Sequence, residues 1–150
     1  MKNVVFVCLG NICRSPMAEA IFRDLVAQEQ LTETFHIDSA GTAGWHKGER
    51  PHHGTTAKLA EHGISTAGMY SRQLTHHDKD AFDYFICMDE QNMENTRRIV
   101  GEEKEVIRLL DLTDKAIRDV PDPYYTGDFE ETYQLCLDGC SQLLQKLKKP

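Results

Sequence analysis

Cys8 stands six positions ahead of Arg14, with Leu9-Gly10-Asn11-Ile12-Cys13 between them and Ser15-Pro16 behind. A thiolate is a strong nucleophile, and a guanidinium is a planar, permanently charged fork that matches two oxygens of a phosphate. Gly10 and Asn11 are residue types that accept left-handed backbone angles, so the stretch between can curl and aim successive N–H groups inward. Such a ring of amides opening into a helix N-terminus is an anion cradle, reinforced by the helix dipole. Amides, dipole, Arg14 and the Ser15 hydroxyl each favour the thiolate form of Cys8. The expected chemistry is attack of Cys8 on phosphorus, giving a phosphocysteine. The competing reading makes Cys8 a small core residue and Arg14 a solvated cation.

A phosphomonoester also needs a proton for its leaving oxygen. Asp122 lies between Pro121 and Pro123, and a partly desolvated carboxyl there can give a proton and later take one from water. From the residues alone, Pro-Asp-Pro reads equally well as a stiff turn with a solvated carboxylate. Tyr124 and Tyr125 follow directly. Trp45, the single tryptophan, lies in a polar segment, either stacking on a substrate ring or packed over a loop edge. Adjacent histidines at 52–53 and 76–77 are expected to point apart, with no carboxylate or cysteine completing a chelating set. Neither metal nor cofactor is therefore expected.

These groups need a scaffold. Residues 2–7 form a β-branched and aromatic run, as for a strand buried on both faces. Ser15 suits a helix N-cap and Pro16 a first helical position, and an apolar stripe through Met17, Ile21 and Leu25 runs to about residue 28. Residues 34–39 read as a second strand ended by Gly41, 43–53 as loop, and 55–61 as a short helix with Gly63 at C′. A third strand is expected over 83–88, a helix over 89–99 stopped near Gly101, and a fourth strand over 105–109. Residues 119–127 read as loop, and a long amphipathic helix follows from Phe129, with Cys136 and Cys140 in its buried stripe. Strands alternate with helices throughout. The expectation is one α/β domain over residues 1–150, a three-layer sandwich with a four-stranded parallel sheet and helices on both faces.

Composition excludes several classes. A net charge of −7, from 17 Lys and Arg against 24 acids, leaves no broad basic face for nucleic acid. No apolar run reaches the length of a membrane span. Five cysteines are an odd number without the spacing of a disulfide framework, so a cytoplasmic location with reduced thiols is expected.

The segment Cys8-Leu9-Gly10-Asn11-Ile12-Cys13-Arg14-Ser15-Pro16 resembles the signature loop of low-molecular-weight protein-tyrosine phosphatases, and Asp122-Pro123-Tyr124-Tyr125 resembles their general-acid loop. Both lie in the family's order, and length and alternation match across the chain. The resemblance implies hydrolysis of phosphotyrosyl proteins or peptides and of small aryl phosphates, releasing inorganic phosphate. It implies Cys8 as nucleophile, Arg14 as clamp and Asp122 as acid. Leu9, Gly10, Asn11, Ile12, Cys13 and Ser15 would form the substrate loop, with Trp45, Tyr124 and Tyr125 walling the cleft. It also implies that His62 supports the loop around Asn11. Relatives with this loop use phosphotyrosine or phosphoarginine, and the arginine-directed ones carry threonine where this chain has Ile12.

Three rivals differ in what they require. Arsenate reduction on this fold needs further cysteines near the third strand, where Cys87 stands alone. A phospho-carrier has no use for Asp122, and a phosphate-binding module would not turn over.

Overall fold

The sheet is organised by a strand with no polar side. The computed structural model describes residues 1–149. In it, strand β1 (Lys2–Cys8) is fully inaccessible from Val4 to Val7. A strand buried on both faces must be central. Its parallel neighbours are β2 (Phe35–Gly41) on one edge and β3 (Tyr84–Cys87) on the other, with β4 (Glu105–Arg108) outside β3.

Alternation along β1 feeds two separate cores. Val4, Phe6 and Cys8 join α1 (Arg14–Gln28), α2 (His53–Glu61) and α6 (Phe129–Leu147) on one face. Val5 and Val7 join Phe85, Cys87, Leu74 and Phe82 on the other, together with Val100 of α4 (Glu90–Val100). Phe22 of α1 is clamped edge-to-face between Phe6 and Phe35, at 5.6 and 5.5 Å between ring centroids. Burying such a side chain contributes about 1.5–3 kcal/mol, against about 0–1 for an exposed ion pair, so packing rather than surface charge fixes α1. Gly139 lets α6 lie close beneath the sheet end: a Cβ there would clash with the side chain of Leu109. Cys136 and Cys140 are fully buried on the same helix, as the stripe predicts.

Four local expectations need correction. Helix α1 opens at Arg14, with Cys13 as N-cap and no capping side chain. Ser15 is inside the helix because its hydroxyl is taken by Cys8 and Asn11. β2 continues to Gly41 because it pairs residue for residue with β1, ending at Cys8↔Gly41. The 119–127 segment contains a helical turn, α5 (Pro123–Thr126), with Pro123 first and the Asp122 carboxylate accepting from Tyr124 N at 3.0 Å. A further turn, α3 (Asp78–Ala81), is too short and polar to leave a periodic signature. Among the described residues no helix is long and apolar enough to cross a membrane.

Candidate active site

The loop after β1 is held from behind by side chains. Asn11 takes φ 56°, and its amide closes the loop. Nδ2 donates to Oγ of Ser15 (2.8 Å) and of Ser39 (2.9 Å), while Oδ1 accepts from Arg72 N (3.0 Å). With Cys8 as the thiolate, a bare acceptor, the Ser15 hydroxyl is the donor across the 3.0 Å to Sγ. Ser39 in turn donates to buried Glu19 (2.6 Å), which also receives Arg23 Nε (2.7 Å). Burial pushes the Glu19 carboxyl above the ordinary range, against the pull of Ser39 and Arg23. Gly10 does not use a positive φ, contrary to expectation. It supplies clearance instead, since a Cβ there would lie 3.0 Å from Cδ2 of His46.

Arg14 is 3 % exposed. Its Nη1 donates to Asp89 Oδ2 (2.7 Å) and to the Val120 carbonyl (2.9 Å). Nη2 stands 3.5 Å from Asp122 Oδ2, and Nε has no hydrogen-bond partner among the described residues. One nitrogen is thus committed to the scaffold, and the Nε–Nη2 edge is left for a phosphate. Burial alone would weaken the guanidinium as a base, but Cys8, Asp89 and Asp122 outweigh it and hold the group above its ordinary value.

The second cysteine of the loop is different in kind. Burial, with Asp122 and Cys8 adding to it, pushes the Cys13 thiol up to about 12, so Cys13 stays protonated at neutral pH. Cys8, by contrast, has the Ser15 hydroxyl 3.0 Å from its sulfur.

Cys8, Leu9, Gly10, Ile12, Cys13 and Arg14 floor one pocket, and Asp122, Tyr124, Tyr125 and Trp45 wall it. Trp45, Tyr124 and Tyr125 are 70 %, 53 % and 76 % exposed, which removes the reading of Trp45 as a ring packed over a loop edge. Asn11 and Ser15 lie behind this floor as supports.

Other residues were not legible as site residues. Asp89 anchors Arg14 while its second oxygen caps α4, accepting from Asn92 N at 2.7 Å. The sequence places Asp89 at the start of this helix, whereas the structure makes it the N-cap and ties it to Arg14. Ser39, the Arg72 backbone and His46 carry no local signal. His62 does not support Asn11; it stacks on Tyr133 at 3.9 Å, and Ser39 and Arg72 do that work. The histidine pairs do not point apart either. His52 and His53 stack at 4.5 Å, and His76 and His77 lie 4.0 Å apart. His52 is drawn aside because its Nδ1 accepts from Gly54 N, capping α2. Among the described residues no group of three or more potential ligands is placed to hold a metal.

Residues 3–150 match the family model described as low molecular weight phosphotyrosine protein phosphatase. The low molecular weight protein-tyrosine-phosphatase YfkJ of Bacillus subtilis is 53 % identical, over 99 % of this chain and 97 % of its own. Its crystal structure superposes with a TM-score of 0.96, covering 99 % of this chain and 95 % of that one. PtpA of Staphylococcus saprophyticus, of the same description, is 43 % identical over 99 % and 96 %. A Drosophila arginine phosphatase is 32 % identical, with a TM-score of 0.89 and 99 % of both chains covered.

Proposed function

Since the chain belongs to the low-molecular-weight phosphotyrosine protein phosphatase family, we propose that Cys8, Arg14 and Asp122 carry the hydrolysis of phosphotyrosine. The observation that supports these assignments is their convergence on one pocket: a sulfur 3.0 Å from a hydroxyl donor, and a buried guanidinium 3.5 Å from the carboxylate on the opposite wall. The phosphate oxygens replace Asp122 on the free edge of Arg14. The Cys8 thiolate attacks phosphorus, the S–P bond forms, and the P–O bond to the phenol breaks. The Asp122 proton passes to the phenolate oxygen. Water then attacks phosphorus, Asp122 takes its proton, and the S–P bond breaks to return the thiolate and release inorganic phosphate. Rapid-quench turnover of p-nitrophenyl phosphate should release a burst of one equivalent of phenol, undiminished by EDTA. Loss of activity with chelator would overturn the metal-free route.

Cys87, the lone cysteine of β3, is fully buried against Thr96 and pushed up to about 12 by that burial. Enclosed in the core and lining no pocket, it has no path to pass a disulfide outward, which weighs against arsenate reduction. Phosphotyrosyl proteins or peptides are the expected partners. A cytoplasmic location belongs to the same proposal, supported by five free cysteines, all buried.

The Drosophila neighbour makes phosphoarginine a second reading. Ile12, 7 % exposed in the pocket floor, weighs against it. Apolar bulk suits a phenyl face and leaves guanidinium N–H groups unpaired, at about 1–3 kcal/mol each. Phosphotyrosyl peptides should therefore be preferred over phosphoarginyl ones by about one to two powers of ten in kcat/KM, and Ile12→Thr should narrow that gap. Wild type favouring phosphoarginine would reverse the substrate assignment and leave the cysteine chemistry standing.

Redox control belongs to the proposal too. Peroxide would convert the Cys8 thiolate to a sulfenic acid, releasing hydroxide. Condensation with the Cys13 thiol would then lose water and form a disulfide that added thiol reduces. After peroxide and then thiol, wild type should recover most of its activity and Cys13→Ser distinctly less. Equal recovery would remove Cys13 from the role.

A further inference from the structure

The residue left over at the pocket mouth is His46. It lines the same pocket as Cys8 and Arg14 but has no part in the steps above. Its ring lies over Gly10 and 6.3 Å from the ring of Tyr124, so it borders both the phosphate loop and the acid loop. The turn that carries it is well fixed. Glu49 N donates to the His46 carbonyl, and Gly48 and Glu49 pair with the backbone of Ser71.

We propose that His46 is a specificity-determining residue that selects phosphotyrosyl peptides bearing an acidic side chain next to the phosphotyrosine. The inference rests on the phosphatase reading above. Nδ1 of His46 lies 3.0 Å from Glu49 Oε2, and a carboxylate there requires that Nδ1 carry the hydrogen. Nε2 has no hydrogen-bond partner among the described residues, and the side chain is 26 % exposed. The imidazolium, its Nδ1–H held by Glu49, offers Nε2–H to a carboxylate arriving from the substrate.

The surroundings carry the same sign. Residues 45–53 hold Lys47, Arg50, His46, His52 and His53 against a single acid, Glu49, in a chain of net charge −7. The Arg50 guanidinium is bonded to the carbonyls of Thr66 and Met69 and lies over the Tyr70 ring, so it adds to the charge of the segment without lining the pocket. Across the mouth stands Asp122, which on the mechanism above enters the first step with its proton and so does not oppose an incoming carboxylate. A lysine-flanked phosphotyrosine gains nothing here, whereas a glutamate-flanked one gains a charge-assisted hydrogen bond.

The test is the ratio of kcat/KM for two phosphotyrosyl peptides that differ only in Glu or Gln beside the phosphotyrosine. A partly exposed charge pair predicts a ratio of about two to five at low salt, falling as salt is added. His46→Gln should bring the ratio to about one, and His46→Arg should restore it. The ratio cancels any general change in activity, and peptide affinities of the same variants carrying Cys8→Ser read the preference without turnover. A wild-type ratio near one, or a ratio unchanged in His46→Gln, overturns the proposal while both peptides are still hydrolysed. Turnover of neither peptide overturns the phosphatase reading beneath it.

Discussion

Cys8→Ser should lower kcat/KM on p-nitrophenyl phosphate and phosphotyrosyl peptides alike by about 10⁴-fold or more, with the fold intact. Cys8 is 3 % exposed and touches the Ser15 hydroxyl, and a serine oxygen fits that space. What is lost is ionisation, because an alcohol in the same cradle is barely deprotonated. Arg14→Lys should cost about 10²–10³-fold on the same substrates. A lysine has one charged nitrogen and cannot hold Asp89 and the Val120 carbonyl while offering a two-pronged edge to phosphate. Steady-state kinetics, with circular dichroism and a thermal melt to verify folding, decide both. A folded Cys8→Ser protein retaining most of its activity would sink the mechanism.

Asp122→Asn should separate leaving-group protonation from everything else the loop does. The amide oxygen can still accept from Tyr124 N, so the cap of α5 survives. The transferable proton does not. Loss of a general acid is expected to cost about 10²–10⁴-fold on phosphotyrosine, whose phenolate leaves poorly, and much less on p-nitrophenyl phosphate. The quantity to measure is the slope of log kcat/KM against leaving-group basicity over a series of aryl phosphates. It should steepen in the mutant. An unchanged slope would assign the acid to another residue.

The residues that share the pocket were legible in the sequence because their signals are local. The phosphate loop spans eight consecutive residues, its strand is a continuous apolar run, and Asp122 is bracketed by prolines. The supports were not legible because they join distant segments. Asn11 meets Ser39 and Arg72, and Arg14 meets Asp89 and Val120, through topology alone. Ser15 shows how a local rule is overridden. Its type favours capping, but its oxygen accepts from Asn11 and its hydroxyl faces the Cys8 sulfur, inside a helix that already opens at Arg14. His62 was misplaced for a related reason. It sits at a helix end as expected, but the nearest large partner is the face of Tyr133, which no sequence spacing indicates. The 119–127 segment was read for its prolines as loop, although a proline behind an aspartate is also how a short helix begins.

Asp89 leaves little room for drift. One of its oxygens starts a helix and the other steadies Arg14, the proposed phosphate clamp. A lineage that traded it for asparagine could keep the helix start but would weaken the hold on the clamp, whereas alanine would forfeit both at once. Elsewhere a capping residue can be exchanged among serine, threonine and asparagine at little cost. On the proposed mechanism that freedom is closed, because substitutions neutral for folding would not be neutral for turnover. Histories in which stability and activity change independently are therefore unavailable at this position, and compensation for its loss would have to arise in two places together.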